Sequence, residues 1–245
     1  MRHLPEHDDF REAALASIGA ESPDPRLEGV ARSLERICRA LTLRLGLLGV
    51  VVRLSAAGDG AGVVVAPPGG ATALADLEVT TGEGPAHTAT RVRRPVLVTD
   101  LQGPAAEDWP GFRHAAADAG VAAVFAFPLH VGAVGFGTFE LFSLTAGSLR
   151  REDLALIRAF AELATEALLD GDLTAADGSL SPALSRAFDY RAEIAQAQGM
   201  VMVELGITLA EAMARLRAHA FTSGEPLSTL ARRVVGGYSV PADDD

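Results

Sequence analysis

The sequence predicts an α+β domain, with an antiparallel sheet and flanking helices, followed by an all-α module of three helices. Three observations support this fold class. Within residues 26–169, segments with apolar residues at helical spacing are mixed with short β-branched runs. Residues 170–181 are small, polar and glycine-containing, which is typical of a linker between domains. Residues 182–238 show helical spacing alone, before an acidic tail at 239–245.

The first domain is predicted to begin with a leader and a long helix. Residues 1–25 are polar and contain three prolines, so we expect a flexible leader, in which a short helix around 10–18 is the alternative. Residues 26–45 carry a narrow apolar stripe at helical spacing. This stripe fits a helix packed on a sheet, and it fits one half of a dimer interface about equally well.

Short strands and helices are predicted for the rest of the domain. Glycine and proline clusters separate them, as is usual for turns. We expect strands at 48–54, 63–66 and 96–100, short helices at 71–77 and 112–119, a hairpin at 124–142 and a closing helix at 151–169.

One uncharged stretch needs to be distinguished from a membrane span. Residues 119–139 carry no formal charge and are long enough to cross a bilayer. They contain Pro128 and break at Gly132, however, so two buried strands around a tight turn explain them better. The N-terminus lacks the basic and apolar segments of a secretory signal. We therefore expect a cytoplasmic protein that does not enter a membrane.

Cysteine and histidine usage disfavours catalysis. Cys38 is the only cysteine, which excludes a disulfide framework and a cysteine-based zinc site, and its place on the helical stripe predicts a buried thiol. His87, His114 and His130 do not have metal-ligand spacing, and no Gly-x-Ser-x-Gly motif is present. We predict no catalytic residues, no metal and no cofactor.

The charge distribution bears on nucleic-acid binding. A formal net charge of -11 disfavours nonspecific binding by the whole molecule. Residues 184–240, however, hold six arginines against five carboxylates and are nearly neutral. Because phosphate neutralisation contributes much of nucleic-acid affinity, we expect weak RNA binding by one copy of this region. Two copies, or contacts with unpaired loop bases, would then be needed.

Capping residues predict the three helices of the C-terminal module. Pro182 follows a serine cap at the start of the first helix, and Gly206 fits a left-handed cap at its end. Thr208 and Glu211 form a capping box for the second helix. Pro226 marks the start of the third helix. Three amphipathic helices joined by turns must bury their apolar stripes against one another.

Four sequence matches in this module point to one family. They are Gln-Ala-x-Gly-Met at 196–200, Leu-Gly-x-Thr at 205–208, Glu-Ala-x-x-x-Leu-Arg-x-x-Ala at 211–220 and Leu-x-x-x-Ala-x-x-Val-Val at 227–235. The stretch closely resembles the ANTAR module, whose members bind RNA and act as transcription antiterminators. The resemblance implies that the module binds tandem hairpins in a leader transcript and prevents a terminator from forming. Gln198 is a departure, since many ANTAR copies carry Lys or Thr there.

The residue types of the module nominate an RNA-contacting surface. Arginine can contact phosphate and stack on unpaired bases. Arg215 and His219 are four residues apart and share a helical face. Small residues near Gly199 permit a close approach of RNA or of another helix. The alternative for any one arginine is a solvated helix surface. The candidates are Arg191, Gln196, Gln198, Gly199, Arg215, Arg217, His219 and Arg232.

Motifs in the first domain resemble the GAF domain, of the type found in actinobacteria. They are Gly-Glu-Gly-Pro at 82–85, Pro-Val-Leu-Val-Thr-Asp-Leu at 95–101, Trp-Pro-x-Phe at 109–112, and the run from 119 to 129. The resemblance covers residues 27–169 and implies a sensor domain that often precedes ANTAR. Ala86 stands where many relatives carry cysteine, so thiol chemistry there is not expected. Some GAF proteins reduce free methionine sulfoxide, but that reaction needs several cysteines.

The resemblance also implies a ligand pocket on the concave face of the sheet, closed by loops at 71–94. The candidate wall residues are Leu77, Glu83, His87, Phe125, Phe127 and Phe139. For the aromatic residues, a role in the hydrophobic core is the alternative.

Taken together, these patterns indicate a GAF–ANTAR regulator in which an unknown small-molecule or protein signal at the GAF domain controls RNA binding. We expect a homodimer, because the helices at 27–45 and 151–169 could form a parallel bundle. Two other classes stay open: a protein-interaction or dimerisation module that has lost RNA binding, and a DNA-binding helix-turn-helix. An enzymatic GAF domain is the least favoured.

Overall fold

The computed structural model describes the chain at residues 7–25, 27, 29–54, 63–65, 70–132, 134–170 and 182–241. The first domain contains α1 (His7–Ala20), α2 (Gly29–Leu45), β1 (Gly49–Leu54), β2 (Val63–Val65), α3 (Gly70–Thr81), α4 (Pro85–Val92), β3 (Val96–Val98), a 3-10 turn (Pro104–Ala106), α5 (Pro110–Asp118), β4 (Ala123–Val131), β5 (Val134–Ser143) and α6 (Arg151–Asp170). The helical module contains α7 (Pro182–Leu205), α8 (Leu209–Ser223) and α9 (Leu227–Val235). The predicted linker lies outside the described residues, apart from its first residue, which ends α6.

The described strands form one antiparallel sheet in the order β2-β1-β5-β4-β3. Strands β4 and β5 pair as the hairpin predicted for residues 124–142, with Phe127 opposite Phe139. Helices cover both faces of the sheet, which explains why this hairpin is almost entirely apolar. Across the described ranges, no helix is both long and apolar enough to span a bilayer.

The larger core lies between one face of the sheet and helices α1, α2 and α6. Leu34, Ile37 and Leu41 of α2 are buried there. Burial of each such side chain stabilises the folded state by about 1.5–3 kcal/mol relative to its exposure. The apolar stripe of α2 therefore packs against the sheet of the same chain. This favours the interpretation of the stripe as a helix packed on a sheet over its interpretation as a dimer interface. Cys38 lies on the same stripe and is buried, as predicted, and this burial raises the pKa of its thiol.

Helix α1 corrects the prediction of a flexible leader over residues 1–25 for the part at 7–20, whereas residues 1–6 lie outside the described residues. Ala14 of this helix is fully buried in the larger core. Arg11 donates two hydrogen bonds to the carboxylate of Glu166 on α6, at 2.8 and 2.7 Å. A bidentate pair of this kind forms only in one relative orientation of the two side chains, so it fixes α1 against α6. The polar composition misled the prediction because only one narrow face of α1 is apolar, and because its partner α6 is distant in sequence.

The opposite face of the sheet is covered by α3, α4 and α5. Val51, Val124 and Phe142 pack there against α3 and α5, and Ala126 packs against α4. The sequence predicted α3 as a shorter helix and did not predict α4 at all. Helix α4 has only eight residues, of which two are threonines and one is an arginine, so its apolar periodicity is too short to be recognised.

The three helices of the C-terminal module match the predicted boundaries. Thr208 and Glu211 form the expected capping box at the start of α8. Gly206 has a φ of 66°, the left-handed conformation predicted for the end of α7. The stripes meet in a core that includes Ile194, Leu216 and Leu230. The fold class predicted from the sequence is thus confirmed.

Candidate nucleic-acid interface and sensor face

One side of the helical module presents Arg215 and His219, four residues apart on α8. Both line an open cleft of about 440 Å³. Arg215 Nη1 donates a hydrogen bond to the carbonyl of Pro241 at 3.0 Å, and His219 Nε2 lies 3.0 Å from the hydroxyl of Tyr238. The segment that follows α9 therefore orients both side chains at the surface.

The end of α9 adds two surface arginines: Arg233, which is linked to His219 through Tyr238, and Arg232, which lies toward α7. The Arg232 side chain is 67% exposed and lies 3.5 Å from Glu193. The Arg233 guanidinium lies over the ring of Tyr238, 3.9 Å from its centroid, and pairs with Glu225. Exposed ion pairs contribute little stability, so exchanging a carboxylate partner for a phosphate has a small penalty. We define the cationic surface as Arg215, His219, Arg232 and Arg233.

The candidates on α7 differ in their surroundings. Gln196 is exposed. The amide of Gln198 donates to the carbonyl of Leu209 at 2.7 Å and so ties α7 to the start of α8. Beside Gly199, the described part of the chain places no atom within 4 Å of the position that a Cβ would occupy, which leaves room for a close approach. The side chain of Arg191 lies outside the described residues.

Arg217 does not join the cationic surface. It lies on the side of α8 that faces the first domain, and its guanidinium packs on the backbone of Gly82. A Cβ at Gly82 would stand 2.5 Å from Arg217 Nη1. Position 82 favours glycine because of its φ of 74°, and the missing Cβ lets the guanidinium approach the backbone.

Glu83, a predicted pocket residue, instead caps a helix. Its Oε1 accepts hydrogen bonds from the backbone amides of Gly111 at 2.6 Å and Phe112 at 3.2 Å, both in the first turn of α5. A carboxylate at a helix N-terminus satisfies amides that lack internal partners and interacts favourably with the helix dipole. Glu83 thus joins the loop between α3 and α4 to α5.

A buried ion cluster occupies the middle of the α3–α5 face. Arg53 Nη2 lies 3.3 Å from Glu140 and 3.5 Å from Glu78, and it donates to the carbonyl of Ala75 at 2.8 Å. All three charged side chains are at most 4% exposed. Burial, and then the adjacent Glu140, raise the pKa of Glu78 well above its ordinary value.

The sequence contained a signal for this cluster that the predictions did not use. Arg53 is the last but one residue of an otherwise apolar strand, and Glu140 interrupts the run Gly137–Ser143. Charged residues are almost never buried unless they are paired. Two opposite charges on neighbouring buried strands therefore indicate a buried ion pair.

His87 on α4 borders this cluster. Burial, followed by the positive charges of Arg53 and Arg217, lowers the pKa of His87 to about 4, so the imidazole is neutral at neutral pH. Its Nε2 is buried and has no hydrogen-bond partner among the described residues. His114 and His130 are exposed and lie on other elements.

The six predicted pocket residues do not line one cavity. Phe125, Phe127 and Phe139 belong to the larger core, on the opposite face of the sheet from the ion cluster. The alternation of side chains along a strand requires this, because Glu140 follows Phe139 and so points the other way. Leu77 packs at the edge of the core formed with α3 and α5. Of the six, only His87 is adjacent to the cluster.

Comparison with family models identifies two domains. The model of the GAF domain matches residues 28–169, and the model of the ANTAR domain matches residues 183–235. These bounds agree with the span from α2 to α6 and with the three C-terminal helices. A comparison with curated protein sequences finds no match.

Solved structures of GAF domains resemble the chain at low sequence identity. One is the GAF domain of a phosphoenolpyruvate-protein phosphotransferase from Acinetobacter, with 8% identity, a TM-score of 0.49, and coverage of 69% of this chain and 96% of that one. The equivalent domain from Coxiella burnetii has 13% identity, a TM-score of 0.48, and coverage of 67% and 93%. The free methionine-R-sulfoxide reductase of Neisseria meningitidis has 14% identity, a TM-score of 0.46, and coverage of 69% and 93%.

The family assignment follows from the match at residues 28–169, which is more than half of the chain. The ANTAR match begins shortly after the GAF match ends. The chain therefore belongs to the GAF domain family and carries an ANTAR domain after its GAF domain, as in GAF–ANTAR regulators.

Proposed function

We propose that this protein is an RNA-binding transcription antitermination regulator, in which the GAF domain senses a signal and the ANTAR domain binds hairpins in leader transcripts. The match of the ANTAR model to residues 183–235 carries the proposal. The cationic surface supports it, because the half-buried Arg215 and the exposed Arg232 both present guanidinium groups at the surface of the module. The protein then acts as a regulator rather than as an enzyme, in the cytoplasm where transcripts are made.

The chemistry of the cationic surface suits a hairpin loop. Guanidinium groups bind phosphates and stack on unpaired bases. Gly199 and the exposed Gln196 give the neighbouring face of α7 room and a polar side chain for base edges. Gln198 is committed to the carbonyl of Leu209, so its role in RNA binding is indirect: it sets the angle between α7 and α8.

Two copies of the protein acting on tandem hairpins would compensate for the nearly neutral charge of each ANTAR domain. A homodimer that holds two hairpins gains affinity through effective concentration without any new contact. The dimer should therefore bind an RNA with two hairpins far more tightly than an RNA with one. Light scattering of the free protein, at concentrations of the binding assay, measures the oligomeric state independently.

The signal is proposed to act on the face of the GAF domain that carries the ion cluster. His87 offers a buried imidazole nitrogen without a hydrogen-bond partner among the described residues. A polar small molecule that donates a hydrogen bond to this neutral imidazole is the expected ligand class. A ligand-dependent shift of the His87 ring signals in an NMR spectrum tests this, with the exposed His130 as an internal reference.

The main test is an RNA titration at two salt concentrations with a tandem-hairpin leader RNA from the host genome. The variants are Arg215→Gln with Arg232→Gln, and the control Arg151→Gln with Arg158→Gln, which removes two charges from exposed positions on α6. We expect the double variant to bind more weakly and to show a salt slope smaller by about 1.4–1.8, because two phosphate contacts are lost. Equal binding by the double variant and by wild type would contradict the assignment of the cationic surface.

A protein-interaction module is the second candidate function. It is favoured by exposed apolar residues on α7, where Met200 is 37% and Val203 is 75% exposed. The same titration separates the two candidates. Absence of RNA binding at low salt, together with a salt-independent protein complex that Val203→Ser weakens, would favour the interaction module.

A further inference from the structure

Helix α3 belongs to two hydrophobic cores at once. Toward the sheet, Ala71, Leu74 and Ala75 pack in the core shared with α5. Away from it, Val79 is 1% exposed and packs in the core of the ANTAR domain, in the cluster that contains Leu216 and other residues of its three helices. Within the described ranges, Val79 is the GAF residue of that cluster. The ANTAR domain is therefore docked on the GAF domain through α3.

A buried hydrogen bond reinforces this contact. The backbone amide of Leu227, the first residue of α9, donates to Thr80 Oγ1 at 3.2 Å. The first amides of a helix have no partner within the helix and need one from outside. Here, a hydroxyl of the GAF domain provides it. The α9 N-terminus thus depends on α3 for the satisfaction of a polar group.

Docking also decides the environment of Arg217. The guanidinium packs against Gly82, directly after α3, and its charge contributes to the lowered pKa of His87. Arg215, two residues earlier on the same helix, lies at the cationic surface instead. Arg217 is therefore a cation of α8 that faces the GAF domain.

We propose that this docking contact, formed by Val79, Thr80 and Gly82 with Arg217 and Leu227, is autoinhibitory. Helix α3 holds Arg217 away from nucleic acid, and the ANTAR domain gains Arg217 as a phosphate contact only after it separates from α3. The inference rests on the proposed RNA-binding function. Because α3 also contributes Glu78 to the buried ion cluster, a change in that cluster acts directly on the helix that holds the ANTAR domain.

The thermodynamic consequence is a reduced apparent affinity for RNA. When only a fraction of molecules is in the competent state, the apparent dissociation constant is raised by the inverse of that fraction. One additional phosphate contact strengthens binding by about five- to tenfold near 0.1 M salt. Release of the ANTAR domain should therefore tighten RNA binding by at least about fivefold and increase the salt slope by about one contact.

The release variant is Val79→Asp. A carboxylate at this buried position opposes docking, while neither core of the GAF domain contains Val79. The control is Ala73→Asp, which places the same charge at an exposed position of the same helix. A second release variant, Thr80→Val, removes the hydrogen bond without adding charge. In Val79→Asp, which keeps Thr80 as the acceptor, hydrogen exchange of the Leu227 amide reports release in the full chain without RNA, and it should be faster than in the control.

The RNA titration then combines these variants with Arg217→Gln and, as a matched control, Arg215→Gln. We expect Val79→Asp to tighten binding relative to Ala73→Asp. We expect Arg217→Gln to weaken binding in the Val79→Asp background only, whereas Arg215→Gln weakens it in both backgrounds. Fast exchange of the Leu227 amide with unchanged or weaker RNA binding would overturn autoinhibition and leave the RNA function intact. Absence of RNA binding by every variant would overturn both.

Discussion

The cap that Glu83 forms on α5 leads to a quantitative prediction for the stability of the GAF domain. Replacing Glu83 with alanine leaves the amides of Gly111 and Phe112 without their carboxylate acceptor. Replacing it with glutamine keeps an oxygen acceptor and removes the charge. The two variants therefore separate the hydrogen bonds from the interaction between the charge and the helix dipole.

The magnitude follows from the two hydrogen bonds at this partly buried site. Loss of a capping acceptor costs about 1 kcal/mol, loss of hydrogen bonds to a charged group costs about 1.5–3 kcal/mol, and the charge at the helix N-terminus contributes about 0.3–1 kcal/mol. These contributions overlap, so we expect Glu83→Ala to lower the free energy of unfolding by about 2–3 kcal/mol. Glu83→Gln should lower it by about 1 kcal/mol.

The assay is urea unfolding followed by the fluorescence of Trp109. Trp109 is the single tryptophan of the chain and immediately precedes α5, so its signal reports this helix. Its indole Nε1 donates to Thr88 Oγ1 on α4 at 3.2 Å, which makes the signal sensitive to the same group of helices. The control Glu107→Ala removes an exposed carboxylate nearby. If Glu83→Ala were within about 0.5 kcal/mol of wild type, as surface substitutions usually are, the capping role would be refuted.

Two further predictions concern pH and the ANTAR core. The folded-state pKa of His87 is lowered to about 4, whereas the unfolded value is near 6.5, so the unfolded state binds more protons between these values and stability falls as pH falls through this window. The raised pKa of Glu78 acts in the opposite direction, because it favours the folded state as pH falls. We therefore compare the free energy of unfolding of wild type with that of His87→Gln at each pH. We expect the difference, wild type minus variant, to drop by about 2 kcal/mol from pH 7 to pH 5. A difference that does not change with pH would contradict the buried neutral imidazole. In the ANTAR domain, Leu216→Ala should cost about 2–5 kcal/mol in a thermal melt because the side chain is fully buried, whereas Leu209→Ala, at a position that is 52% exposed, should change stability little. Similar losses for both leucines would argue against the predicted core.

Local patterns were sufficient for the elements whose signals are contained within a few residues. The capping box at Thr208 and the left-handed Gly206 concern bonds within one turn of helix, so the sequence specifies them directly. The hairpin around Gly132 follows from the apolar runs on either side of it. The helix α4 and the packing of α1 were not predicted, because short or weakly apolar segments become helical through contacts that are distant in sequence.

The sequence alone determined the two-domain plan, the fold class, the three ANTAR helices and the residue types available for RNA binding. Only the tertiary structure decided which of those residues face which partner. Periodicity assigns Arg217 to a helix, but not to the face that meets Gly82. Periodicity also predicts that Phe125 is buried, but it does not predict that Phe125 lies on the face opposite the ion cluster. The physical reason is that helix and strand periods describe which residues share a face, whereas the neighbour of that face depends on contacts between segments far apart in the chain.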